Sequence, residues 1–177
     1  NITEIGHYYF SGTINEIEVK DTLAYVLVQP NNLSILNIIN PFSIELVSSI
    51  DLIVTDSIPS YCTGTTLEID GHYAYVSRFP NGEVFIVDIS IPSDPSVCFS
   101  DDFYRTEDFF VSDDIAYLCD GTNMDLYDIS DKTAPVLINS LHICPHKVFV
   151  QDTIAFVLYG GSLNILNVDN SLDIIEI

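Results

Sequence analysis

The sequence predicts an all-β chain made of four copies of one four-stranded antiparallel unit, and three observations predict it. First, an opening motif repeats: Ala24-Tyr25-Val26 returns as Ala74-Tyr75-Val76, Ala116-Tyr117-Leu118 and Ala155-Phe156-Val157. Second, a later landmark keeps step with it: "LSILNIINP" from Leu33, "VFIVDISIP" from Val84, "MDLYDISDK" from Met124 and "LNILNVDNS" from Leu163. Third, no segment longer than a turn carries the apolar period of about 3.6 residues that marks a helix. Antiparallel units of roughly 40 residues in series are the pattern of a β-propeller. A lone four-stranded sheet cannot cover both of its faces. Stacking blade on blade does, which explains why many of these strands are apolar on both sides.

Each unit reads as four short strands. The first ends in an alternating apolar pair before a polar turn: Ile17 and Val19, Leu67 and Ile69, Phe109 and Val111, Val148 and Val150. The second is the Ala-Tyr-Val strand. A tight turn follows at Asn31-Asn32, Asn81-Gly82, Gly121 to Asn123 and Gly160-Gly161, residue types that tolerate positive φ. The third strand is the "VFIVDIS" type, and a turn rich in Pro, Ser and Asp leads to the fourth. Residues 2–10, "ITEIGHYYF", resemble a fourth strand with no unit before it. The expected division is therefore an outer strand at 1–13 and blades at 14–52, 53–103, 104–143 and 144–177. Such a chain is either a four-blade ring with a spare strand or part of a larger ring.

Composition bounds the partners. The 177 residues bury a good core, about 70% of the unfolded surface. There are 26 acids against 5 bases, a formal net charge of −21. Such a surface repels phosphate backbones and anionic lipid heads, so neither nucleic acid nor a membrane surface is an expected partner. It attracts cations, calcium among them. No apolar run reaches the roughly 18 residues of a membrane span. The sequence starts at Asn1 with no Met and no signal-like segment, as a processed chain or an excised piece would. Two glycosylation sequons occur, Asn1-Ile2-Thr3 and Asn32-Leu33-Ser34. Cys62, Cys98, Cys119 and Cys144 allow disulfides in an exported protein.

The second unit, "GHYAYVSRFPNGEVFIVDISIPSDP" from Gly71 to Pro95, resembles the LVIVD repeat. The third unit resembles it through Ala116-Tyr117-Leu118 and Asp128-Ile129-Ser130. Units one and four are looser, with Asn37 and Asn167 in place of the Asp. The resemblance implies a surface or secreted bacterial or archaeal propeller, often a module of a larger protein. It supplies no catalytic residues to carry over.

A carboxylate in an apolar strand invites a chemical role, but Asp88 has counterparts at Asn37, Asp128 and Asn167. Asn cannot act as a general acid, and either residue accepts backbone N–H bonds from the next turn. This position is read as part of the blade. Function is sought where the units differ. The connector from Asp51 to Gly64 is the longest and would lie on one end of the propeller. His142, Cys144 and His146 would share one face of an extended strand and suit a transition metal, though Pro145 disturbs that strand. A Cys119–Cys144 disulfide is a competing reading. Asp120, Asn123 and Asp125 offer oxygen ligands for calcium, with an ordinary hairpin turn as the alternative. Asn15, Thr65, Glu107 and His146 occupy one position near the start of each innermost strand and would ring the channel mouth.

No nucleophile elbow, phosphate loop or zinc-protease helix is present. The expectation is a non-enzymatic extracellular or cell-surface scaffold for protein or glycan contact or for surface assembly, with no cofactor beyond calcium. The alternatives are a propeller hydrolase or lyase with a channel-mouth site, and a filament subunit donating its N-terminal strand. Converging acids and histidines at the mouth favour the enzyme; an apolar plug favours the scaffold.

Overall fold

A computed structural model of the chain describes residues 2–52, 64–79, 82–102, 106–169 and 175–176. The β-branched and aromatic runs form four sheets, each in chain order and antiparallel throughout. Blade 1 holds β1 (Ile14–Lys20), β2 (Leu23–Val28), β3 (Asn32–Asn37) and β4 (Glu45–Asp51). Blade 2 holds β5 (Gly64–Asp70), β6 (Tyr73–Phe79), β7 (Glu83–Asp88) and β8 (Ser96–Asp102). Blade 3 holds β9 (Asp108–Ser112), β10 (Ile115–Cys119), β11 (Met124–Asp128) and β12 (Val136–Leu141). Blade 4 holds β13 (Pro145–Gln151), β14 (Ile154–Tyr159), β15 (Ser162–Asn167) and β16 (Ile175–Glu176). The described residues contain no helix.

The turn into the second strand is the same device four times. Asp21, Gly71, Asp113 and Asp152 stand at φ 56°, 53°, 54° and 54°. Aspartate and glycine are among the residues that accept this left-handed conformation at least cost. The turn fixes the register, and register fixes the faces. Ala24, Ala74, Ala116 and Ala155 lie opposite Val19, Ile69, Val111 and Val150. They share one face of each blade, here the near face. The Tyr or Phe that follows each Ala points to the far face.

The core lies between blades. Tyr25, Leu27, Leu33 and Ile35 on the far face of blade 1 pack on Leu67, Val76, Phe85 and Val87 on the near face of blade 2. Tyr75, Val84 and Ile86 of blade 2 meet Phe109, Val111 and Leu118 of blade 3. Tyr117, Met124 and Leu126 of blade 3 meet Val148, Val150 and Val157 of blade 4. Each fully buried Leu, Ile, Val or Phe contributes about 1.5–3 kcal/mol over its exposed state. The innermost strands β1, β5, β9 and β13 pack successively around an axis.

Residues 2–10 depart from expectation: they form no strand. A strand needs a sheet edge, and the near face of blade 1 offers a surface instead. Tyr8 and Phe10 lie on it, over Ala24, Val26, Val28 and Leu36. The segment is laid down tightly: a Cβ on Gly6 would stand 1.6 Å from the Pro41 carbonyl oxygen.

Candidate functional site

The inner strands turn alternate side chains toward the axis, and their sequences decide what lines it. β1 contributes Glu16 and Glu18, β5 contributes Glu68, and β9 contributes Asp108 and Phe110. Lys147 and Phe149 come from β13. Together they bound an opening of about 600 Å³. Four carboxylates thus face one lysine and several aromatic rings. Phe110 and Phe149 meet edge to face at 4.9 Å.

Crowding changes the acids. Burial, reinforced by Glu18, Asp70 and Asp108, pushes the Glu68 carboxyl up from 4.5 to about 7. Burial also raises Asp108, against the Val148 N–H and Lys147. Asp108 still ties blade 3 to blade 4: its Oδ2 accepts the Val148 N–H at 3.1 Å, and its Oδ1 lies 3.6 Å from Lys147 Nζ. Beside it, His146 Nδ1 lies 2.9 Å from Glu107 Oε2. The Glu107 carboxyl lies against Gly121, where a Cβ would stand 2.7 Å from Oε1.

Of the four channel-mouth positions, Glu107 and His146 meet. Asn15 lines a separate small cavity with Asn31 and Arg78 between blades 1 and 2. Thr65 pairs with Arg78 in the ladder, and its side chain lies outside the described residues. So do residues 53–63 of the long connector, with Cys62 among them, and Asn1 of the first sequon. In the second sequon the Asn32 amide donates to Asp51 Oδ1 at 3.1 Å.

His142, Cys144 and His146 do not converge. Cys144 stands at φ 50°, so the backbone is not extended and the three side chains do not share a face. His142 Nδ1 instead lies 3.1 Å from Asn123 Oδ1. Cys119 is buried and Cys144 exposed, and both are free thiols, as is Cys98; the Cys119–Cys144 disulfide is absent. Burial raises the Cys119 thiol far above its usual range. Asp120 Oδ1 accepts the N–H groups of Thr122, at 2.7 Å, and Asn123, while Asp125 accepts the Ser140 hydroxyl. These oxygens hold a hairpin turn. Among the described residues no three His, Cys, Asp or Glu side chains come together as a metal set.

The recurring Asx side chains all make one bond. Asn37, Asp88, Asp128 and Asn167 accept the N–H two residues on, from Ile39, Ser90, Ser130 and Asp169, at 2.8–3.0 Å. Ser90 holds the Asp88 carboxyl below its ordinary value.

One cluster escapes a reading of the repeats because it occurs once. Arg78 Nη1 lies 2.7 Å from Glu83 Oε2 and 3.0 Å from the Leu52 carbonyl oxygen, and Nη2 bonds Asn31 Oδ1. Arg78 and Glu83 face each other across the hairpin of β6 and β7. They stand two residues to either side of Pro80-Asn81 in the sequence, and that symmetry is the signal that marks them as a cross-strand pair.

The LVIVD repeat model matches residues 11–52, 65–102 and 105–142. The chain belongs to the LVIVD-repeat family. The matched repeats are blades 1 to 3; blade 4, with Asn167 and no following Ser, lies outside them. No curated protein sequence matches the chain. In structure it is similar to the computationally designed Ika4 protein (TM-score 0.65, 13% identity, 95% of this chain and 99% of that one). It is also similar to a functionally unknown protein from Desulfotomaculum acetoxidans (0.71, 14%, 93% and 55%) and to BamB from Moraxella catarrhalis (0.65, 14%, 91% and 48%). The LVIVD chain spans about half the length of the last two. At these identities the likeness fixes the propeller fold alone.

Proposed function

We propose that this LVIVD chain is an extracellular or cell-surface scaffold that holds a cationic segment of a protein partner in its axial opening. The observation that carries the reading is the pairing of Glu16, Glu18, Glu68 and Asp108 with Phe110 and Phe149 around one space of about 600 Å³. Carboxylates attract lysine and arginine, and aromatic faces accept their stems and charges. The family resemblance and the sequons support a surface location.

The test separates the opening from the general charge of the molecule. Binding of a lysine-rich peptide is measured by biolayer interferometry at about 50 mM and about 500 mM salt, where screening differs severalfold. Glu16→Gln/Glu18→Gln is expected to weaken binding at least fivefold. Asp101→Asn/Asp131→Asn, which also removes two charges, is expected to stay within twofold. Equal loss in both variants, or tighter binding at high salt, refutes the reading.

A second reading has its own observation. Glu68, titrating near 7, lines the opening, and the Glu107–His146 pair precedes its lining residues Asp108 and Lys147 in sequence; acids and a histidine are the groups a hydrolase site uses. Turnover of a glycan or peptide ester by the chain, abolished in a folded Glu68→Gln variant, would replace the scaffold reading with this one.

A further inference from the structure

We propose that the end of the seam between blades 1 and 2 binds a small sugar acid, with Lys20 and His72 taking its carboxylate. There the β1–β2 turn of blade 1 faces the β5–β6 turn and the β7–β8 loop of blade 2 across a space of about 470 Å³. Small-molecule sites span roughly 300–1,000 Å³. Lys20, Asp21 and Thr22 come from blade 1, and His72, Ser90 and Pro92 from blade 2. Tyr25 and Ile89, each 4% exposed, also line it.

The next seam shows what fills this place when the chain fills it. Its backbone is the same: the Ile129 N–H bonds the Asp114 carbonyl as the Ile89 N–H bonds that of His72, both at 2.8 Å. The turn bond from Ala134 to Asp131 likewise repeats that from Asp94 to Ile91. The side chains differ. Lys132 lies across the seam between blades 2 and 3, its Nζ 2.8 Å from Asp114 Oδ1 and 2.7 Å from the Ile129 carbonyl oxygen. It also stands 5.5 Å from the Tyr73 ring centroid. At the first seam Pro92 replaces Lys132, His72 replaces Asp114, Leu23 replaces Tyr73 and Lys20 replaces Asp70. A proline cannot reach across, so the space is open. Its charge is reversed as well: Lys20 and His72 stand where Asp70 and Asp114 stand one seam on.

Lys20 is also short of an anion. Of the four lysines and arginines among the described residues, Arg78, Lys132 and Lys147 each have a carboxylate oxygen within 3.6 Å. Lys20 instead donates to the Gly71 carbonyl oxygen at 2.6 Å. An ammonium carries three donors, so one such bond leaves two for a ligand. Asp21, the acid on the wall, stands exposed in its left-handed turn, and Asp88 accepts the Ser90 N–H at 2.8 Å. Thr22 and Ser90 bring hydroxyl groups to the space, and Leu23 and Pro92 bring apolar ones. A sugar ring, polar at its edge and apolar on its faces, matches both. The charge of −21 on the whole chain is screened beyond about 10 Å at about 0.1 M salt, so a small monoanion answers to the nearby pair.

Amide chemical shifts of the isotope-labelled chain, titrated with galacturonate up to about 50 mM, test it. Thr22, Gly71 and Ser90 should shift and saturate with a dissociation constant of about 1–10 mM. Galactose, which lacks the charge, and acetate, which lacks the ring, should bind at least about tenfold more weakly. Lys20→Gln should weaken galacturonate about fivefold, while Lys20→Arg should stay within about twofold. His72→Asp/Pro92→Lys, which copies the pair of blade 3, should fill the space and abolish binding. Thermal melts check that each variant folds, and the two Lys20 variants decide the matter if the double one does not. No saturation by galacturonate, equal affinity for galactose or acetate, or full binding by folded Lys20→Gln each overturns the proposal. The lysine-rich peptide is assigned to the axial opening, so the two assays succeed or fail separately.

Discussion

Replacing Glu83 with leucine strands the Arg78 guanidinium between blades 1 and 2. Both residues are nearly sealed, at 2% and 4% exposure, and their ion pair is 2.7 Å long. Removing one partner of a buried pair costs about 3–5 kcal/mol, because the remaining charge stays desolvated. Against a denaturant slope of about 2 kcal/mol per molar urea, that loss lowers the unfolding midpoint by about 2 M. The double variant Arg78→Met/Glu83→Leu removes both charges. It leaves the Leu52 carbonyl and Asn31 without their donor, at about 1–3 kcal/mol. The double variant should therefore be more stable than Glu83→Leu alone. Urea melts of the wild type, both singles and the double close the cycle. A pair this buried is also insensitive to added salt. A midpoint shift below about 0.3 M for Glu83→Leu, or a double variant as unstable as the sum of the singles, refutes the reasoning.

Other outcomes follow from single residues. Glu68 carries a carboxyl raised from 4.5 to about 7; below about pH 4.5 it is protonated folded and unfolded, and above that only the folded chain keeps the proton. Stability attributed to it therefore falls as pH rises from about 4.5 to about 7, and Glu68→Gln should gain about 1 kcal/mol at pH 8 and less at pH 5, after discounting for partial solvation. Gly71, at φ 53° with nothing near its Cβ position, should lose about 1 kcal/mol as Gly71→Ala and less as Gly71→Asp, since Asp21, Asp113 and Asp152 hold that turn in the other blades; thermal melts rank the three. Asp88→Asn keeps the acceptor for the Ser90 N–H and should shift stability by no more than about 0.5 kcal/mol, with peptide binding unchanged; loss of binding in the folded variant would falsify its assignment to the blade.

What recurs in this sequence is legible in it. Alternation sets the faces, and the Ala-Tyr-Val strands set the register. Asn37 and Asn167, standing where Asp88 stands in its own blade, remove a false catalytic lead by residue type alone. What occurs once is harder. Residues 2–10 have the composition of a strand, but composition does not supply a sheet edge, and Tyr8 and Phe10 cover an apolar face instead. His142, Cys144 and His146 have the spacing of a shared face, which the left-handed Cys144 undoes. In sequence Arg78 is one of five scattered bases, and its burial depends on Leu52 and Asn31 from another blade. Glu68 is hard to read locally because its proton affinity owes most to burial, and then to Glu18 and Asp108 far away in sequence as well as to nearby Asp70.

Binding of a lysine-rich peptide to the wild type, to Glu16→Gln/Glu18→Gln and to Asp101→Asn/Asp131→Asn tests the axial opening most directly. At about 50 mM salt the Glu16/Glu18 variant should bind at least about fivefold more weakly than the other two chains. Equal affinity in all three would contradict the account.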